Sequence, residues 1–166
     1  PGTKIDTSNM DEWVFPIGTK FWKEFSFSGK IVETRFFSKV AAGTWVRTTY
    51  QWTSDQSAAI RNDAGYWDGA DGGSVASYEI PSAGQCDLCH QGRSDKILGF
   101  EAIGLGLPGA TGVTLAGLVA EGLLTAPPAV TTLAIADDGT GKSAAAMGWL
   151  HANCGTACHN QNPAAL

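Results

Sequence analysis

The chain has 166 residues, enough for one domain or two small halves sharing a core. Charged residues are 16% and the net charge is −5, which argues against a nucleic-acid role because phosphate binding wants a basic face. Gly is abundant at 21 residues, and the longest apolar run, "VTLAGLVAEGLL" (113–124), carries Glu121 and is far short of the roughly 20 residues of a membrane span. The chain begins at Pro1 without an initiator Met, the expected mark of a processed or excised fragment, and it carries no signal peptide, which processing could already have removed.

The first half is aromatic and β-like. "KFWKEFSFSGKIVETRFF" predicts two strands around a Ser28-Gly29 hairpin turn. Phe21, Phe25 and Phe27 share one face of the first strand, while Val32, Thr34 and Phe36 alternate with Glu33 and Arg35 in the second. "TWVRTTYQWT" (44–53) predicts a third strand with Val46, Tyr50 and Trp52 on one face, and "SVASYEI" (74–80) a fourth. "NDAGYWDGADGG" (62–73) is a loop on composition.

From Pro81 the texture turns to Ala, Gly and Leu. "AGQCDLCHQG" predicts a short helix ended by Gly92. "TGVTLAGLVAEGLL" predicts a second, stopped by Pro127 and Pro128, and "GKSAAAMGWLHANC" a third. The expected architecture is α+β: an antiparallel β half, residues 1–80, packed on a mainly α-helical half, residues 81–166.

Two Cys-Cys-His clusters bracket that second half. "CDLCH" (86–90) is C-x-x-C-H, the c-type haem attachment pattern. Thiols about one helical turn apart can form thioethers to the two vinyl groups on one porphyrin edge, and the next residue sets its imidazole under the iron. Cys86 and Cys89 are thus candidate anchors and His90 a candidate axial ligand. A redox C-x-x-C would want a thioredoxin-like βαβ context, which the antiparallel upstream half does not offer. A zinc half-site is the other competitor.

The second cluster, "CGTACH" (154–159), is one residue longer. On a regular helix an i, i+4 pair faces the same way as an i, i+3 pair, so Cys154 and Cys158 can still reach one haem edge, with His159 as proximal ligand. A Cys154–Cys158 disulfide or a four-cysteine zinc site is the alternative, but zinc leaves both trailing histidines unexplained.

"WVFPIGTKFWKEF", "VETRFF", "YQW", "CDLCH" followed by "LGF", and the terminal "LHANCGTACHN" resemble a family of secreted bacterial dihaem c-type cytochromes. The resemblance runs from about Trp13 to Asn160 and implies export and two covalent haems, but supplies no known reaction. Members usually carry C-x-x-C-H at the second cluster as well, so the inserted residue is a departure.

Sixth ligands are scarce, since the remaining candidates are His151, Met147 and Met10. His151 lies eight residues before His159, about 12 Å along a regular helix and on the same side. It is therefore badly placed to cap its own helix's haem and better placed to cap the one at Cys86 and Cys89. Met147 competes for that role, and the bland reading makes both ordinary helix residues. The second haem is left with Met10, a Lys, a Tyr or no protein ligand.

Three further patterns are weaker. "ADDGTGKS" (136–143) imitates a phosphate loop, but Asp137-Asp138 would repel phosphate, so a loop capping the last helix is expected. "GLGLPG" (104–109) contains Pro108 and reads as a Gly-rich loop beside a porphyrin rather than a dinucleotide fingerprint. Six Trp residues suggest packing, with carbohydrate stacking as the alternative.

The resulting expectation is a periplasmic or extracellular dihaem cytochrome that passes single electrons to redox partner proteins. The rivals are a haem peroxidase or small-gas binder with an open coordination site, and a non-haem module held by zinc or disulfides.

Overall fold

The computed structural model describes residues 2–67 and 78–163. The fold is α+β, with a four-stranded antiparallel sheet in the N-terminal half and short helices later. The chain divides into two compact units, residues 17–88 and residues 1–16 together with 89–166. Sequence texture placed the change at Pro81, whereas the division falls inside the first helix.

Strands β1 (Lys20–Phe27), β2 (Lys30–Ala41), β3 (Thr44–Trp52) and β4 (Ala59–Arg61) form a meander in that order. Ser28 and Gly29, at φ 49° and 77°, both occupy the left-handed region that a tight two-residue hairpin needs. A register shift follows Phe25, and Phe27 beyond it is half exposed. The register sorts the side chains into two faces. Phe21, Phe25, Glu33, Arg35, Phe37, Lys39, Trp45 and Arg47 share one; Trp22, Glu24, Thr34, Phe36, Tyr50 and Trp52 share the other.

Period-2 alternation marked Glu33 and Arg35 as the polar counterparts of an apolar face. Instead Glu33 is fully buried and Lys39 nearly so. The burial is tolerated because the charges are partnered. Arg35 Nη2 donates to Glu33 Oε1 at 2.5 Å, Tyr78 Oη donates to the same oxygen at 2.7 Å, and the Arg35 guanidinium lies 4.2 Å over the Phe25 ring.

Of the expected fourth strand (74–80), residues 74–77 lie outside the described residues. Glu79–Ile80 is strand β6, paired with β5 (Tyr66–Trp67). Tyr66 and Trp67 therefore leave the composition-based loop, whose residues 68–73 also lie outside the described residues. The pairing needs Gly65, where a Cβ would sit 2.6 Å from the Ser82 nitrogen.

The other unit is held by Trp13 and Phe15, whose rings meet Phe100 edge-on at 6.2 and 5.7 Å, and by buried Ala102, Leu115, Leu118 and Leu124. Its N-terminal residues are tied in by backbone bonds from Ile5 to Leu123 and from Thr125 to Ile5, and by Thr7, whose hydroxyl donates to the Ala126 carbonyl. Helix α1 is Cys86–His90 and α2 is Ala102–Gly106. The start of "GLGLPG" is thus helical rather than loop, because the Glu101 carboxylate caps α2 by accepting from Ile103 and Gly104 N–H. At Gly106 a Cβ would come within 2.8 Å of Leu133, so close packing demands glycine.

Helix α3 (Leu115–Ala120) starts on a Thr114 cap and stops before the prolines. Gly122, at φ +65°, donates to the Val119 carbonyl while Leu123 donates back to Leu118, a left-handed glycine termination. Helix α4 (Ser143–Leu150) runs directly into a π-helical turn, His151–Gly155. Asp137 sits at its start: Oδ2 accepts from Ala144 N–H at 3.1 Å, and Oδ1 accepts from Gly139 and Gly141 N–H. The phosphate-loop lookalike is a carboxylate-organised turn.

Candidate functional site

The first cluster begins with a reciprocal cap. Ser82 N–H donates to Gln85 Oε1 at 2.7 Å, and Gln85 N–H reaches Ser82 Oγ at 3.4 Å, the S-x-x-Q form of a capping box. The helix it starts spends its single turn on "CDLCH". Asp87 anchors the turn, its carboxylate taking a two-pronged bond from Arg47 of β3. Cys86 is half-buried, while Cys89 and Leu88 are exposed, Leu88 by 64%.

Burial pushes the Cys86 thiol up; the positive charges of Arg35 and Arg47 pull it down by less. A thiol kept protonated is a poor disulfide-exchange catalyst, because that chemistry runs through the thiolate.

His90 is oriented by the loop that follows it. Its Nδ1 lies 2.6 Å from the Lys96 carbonyl oxygen, which can only accept, so Nδ1 carries a proton and in the neutral ring Nε2 carries the lone pair. Lys96 presents that carbonyl from a left-handed conformation, φ 60°, closed by its N–H bond to the Arg93 carbonyl.

The second cluster lies where α4 gives way to the π turn. Thr156 N–H donates to the His151 carbonyl and His159 N–H to the Cys154 carbonyl, both i→i+5 bonds of 2.9 Å. Cys158 N–H shares the Cys154 carbonyl, also at 2.9 Å. The regular helix assumed for this stretch is therefore absent, because the wide turn takes up the additional residue between the cysteines. The collinear 12 Å relation between His151 and His159 lapses with it. His159 is exposed; Cys154 and Cys158 are half-buried free thiols.

Within this unit the flanks of the two clusters are stitched together. Arg93 Nε donates to the Thr156 carbonyl at 2.6 Å, and its Nη1 donates to the Asp11 carbonyl. Asn160 Nδ2 donates to the carbonyls of Gly92, at 3.1 Å, and Gly155, at 3.2 Å. The loop leaving His90 and the turn carrying Cys154, Cys158 and His159 are thus adjacent.

His151 Nε2 faces Glu101 Oε1 at 3.2 Å, so the same carboxylate that caps α2 holds this imidazole. Met147 is exposed on α4. That helix buries none of its side chains, and Met147, Trp149 and Leu150 are 55%, 63% and 45% exposed. Lys96, Arg93, Asn160 and Glu101 escaped the sequence reading. Only the S-x-x-Q cap had a local signature that could have been found beforehand.

Among the described residues no three His, Cys, Asp or Glu side chains are grouped as a metal-ion site, and no helix is long and apolar enough to cross a membrane. No protein-family model matches the chain, and neither a curated protein nor a solved structure matches it.

Proposed function

We propose that this protein is an exported dihaem c-type cytochrome, periplasmic or extracellular, that exchanges single electrons with redox partner proteins. The observation that carries the reading is the Cys86–His90 turn. Its two thiols lie one helical turn apart, and the next imidazole has Nδ1 committed to the Lys96 carbonyl and its lone pair on Nε2. Such a carbonyl bond is the usual way of fixing an iron-ligating histidine's tautomer and ring orientation. A second support is the uncovered apolar surface of α4, which a porphyrin would shield from water.

In this reading Cys86, Cys89, Cys154 and Cys158 would hold two haem groups through thioethers, and His90 and His159 would ligate their irons. When bound, haem c supplies an iron that alternates between ferric and ferrous states. The chain's own part is to fix the axial imidazoles, exclude water with its apolar helix, and hold the two clusters close through Arg93 and Asn160.

Met147 offers a sulfur from an exposed position, whereas His151 would have to exchange Glu101 for the iron to serve as the crossing sixth ligand. That engagement favours one rival in particular, a peroxidase or small-gas binder in which one iron keeps an open position.

Intact-mass measurement of protein made in an exporting, haem-ligating host, combined with its visible spectrum, tests all of this. Two covalent haems with low-spin bands support electron transfer. A high-spin component that binds carbon monoxide supports the rival, and a colourless folded protein refutes both.

A further inference from the structure

The face of the four-stranded sheet that carries no buried charge forms an open groove of about 410 Å³, lined by Trp22, Glu24, Thr34, Phe36, Tyr50 and Trp52. That volume is within the range of small-molecule sites, roughly 300–1,000 Å³. The lining is ordered by the register. Glu24 pairs with Thr34 and Thr34 with Tyr50, making a polar row across three strands. Trp22 pairs with Phe36 on one side of this row, their rings 5.1 Å apart, and Trp52 stands on the other. The two aromatic walls are two side-chain rows apart on either side of a polar floor, about 13 Å along the strands.

Packing accounts for Trp13 and Trp45, both in the core, but not for Trp22, which is 62% exposed. The polar floor says what the groove wants. Glu24 is a carboxylate with no ion-pair partner among the described residues, and Thr34 Oγ1 already accepts the Trp52 indole N–H at 2.9 Å. Glu24 thus displays acceptors and the Trp52 donor is spent, while the Trp22 indole N–H and the Tyr50 hydroxyl line the same groove, so the lining suits ligand groups that both donate and accept, as hydroxyls do. A proline-rich peptide brings carbonyl acceptors and few N–H donors, and so leaves the Glu24 carboxylate unmatched.

We infer that this groove binds a neutral oligosaccharide, with pyranose faces stacked on Trp22 and Trp52 and hydroxyls donating to Glu24 and Thr34. This activity is independent of the haem reading and belongs to residues 17–88 alone.

The test is calorimetric titration of the full-length protein with cellohexaose and with chitohexaose, repeated on Trp22→Ala and Glu24→Gln. Saturable binding to at least one sugar is expected, weakened about tenfold or more by Trp22→Ala and severalfold by Glu24→Gln. Far-ultraviolet circular dichroism should be unchanged in both variants, since neither side chain is buried. The inference is overturned by no heat with either sugar at millimolar concentration or by binding that ignores both substitutions. A polyproline peptide or choline binding in place of the sugars, with the same dependence on Trp22, also overturns it. So does Trp22-dependent self-association of the chain in sedimentation.

Discussion

The buried carboxylate of Glu33 offers the sharpest test of how the sheet is held together. Glu33→Ala leaves the Arg35 guanidinium without its 2.5 Å partner and the Tyr78 hydroxyl without its 2.7 Å acceptor. Breaking one side of a buried ion pair costs about 3–5 kcal/mol. Arg35 keeps 27% of its side-chain exposure and its stacking on Phe25, so the lower end applies, about 3 kcal/mol. The lost tyrosine bond adds about 1 kcal/mol. For a chain of this length that corresponds to a fall in melting temperature of about 8–16 °C.

Glu33→Gln keeps an acceptor at Oε1 and sets its amide nitrogen where Oε2 already lacks a partner, so it should cost about half as much. The decisive variant is the double replacement Glu33→Ala with Arg35→Met. Removing both charges from the site should recover most of the loss, because an apolar pair carries no desolvation penalty. Thermal unfolding followed by circular dichroism measures all three. Burial chiefly, then the hydrogen bond and negative charge of Glu33, push the Tyr78 hydroxyl far up. Ultraviolet titration of Glu33→Ala should therefore find one tyrosine ionising at lower pH than in the parent. A single-variant loss below about 1 kcal/mol, or a double variant no better than Glu33→Ala, would refute the reasoning.

The remaining expectations concern the two clusters and the last helix. Cys154→Ser combined with Cys158→Ser should lower the covalent adduct from two haems to one by intact-mass spectrometry, and a parent protein with one haem and a Cys154–Cys158 disulfide would sink the second site. Where His151 leaves Glu101 to cap the haem at Cys86 and Cys89, His151→Ala moves only that haem toward high spin and opens it to carbon monoxide, while Met147→Ala leaves it unchanged; the opposite pattern makes Met147 the ligand. Asp137 is held down to about 2, from 3.8, by the N–H groups of Ala144 and Gly141 foremost. Its folded-state value is the lower one, so its support is complete above about pH 4 and is lost as the pH falls toward 2. Protection against amide exchange at Gly139, Gly141 and Ala144, relative to the unstructured rate at each pH, should fall over that window, and Asp137→Asn should show the lowered protection already at neutral pH.

What could be read from the chain was whatever depends on neighbours in sequence. The Ser28-Gly29 turn, the three long strands and the helix at Cys86 follow from local turn chemistry, alternation and capping. The end of α3 was misplaced because two prolines are a conspicuous stop, while Gly122 five residues earlier is a sufficient one. Glu33 and Arg35 were misassigned for a different reason. Alternation tells which residues share a face but not which face is buried, and the partners that make burial tolerable, Tyr78 and Phe25, are fixed only by the tertiary fold. The candidate site divides the same way. Its cysteines and histidines stand in two motifs, whereas Lys96, Arg93, Asn160 and Glu101 reach them from loops and caps that no spacing rule encodes.

The spacing of the second cluster gains a physical account from its backbone. On an α-helix one added residue turns everything downstream by about 100°, so the second cysteine and its histidine would no longer stand in the same direction from the first cysteine as at the first cluster. Here the added residue coincides with a widened turn, in which the Cys154 carbonyl accepts from both Cys158 and His159. More residues per turn offset the extra rotation. The bulge also has an anchor: buried Thr156, between the cysteines, bonds its hydroxyl to the Ala152 carbonyl and offers its own carbonyl to Arg93. The inserted residue and the tie to the first cluster are therefore parts of one arrangement. A three-residue gap between Cys154 and Cys158 lets the turn open far enough for Thr156 to meet Arg93, and Arg93 in turn closes the loop whose Lys96 carbonyl orients His90.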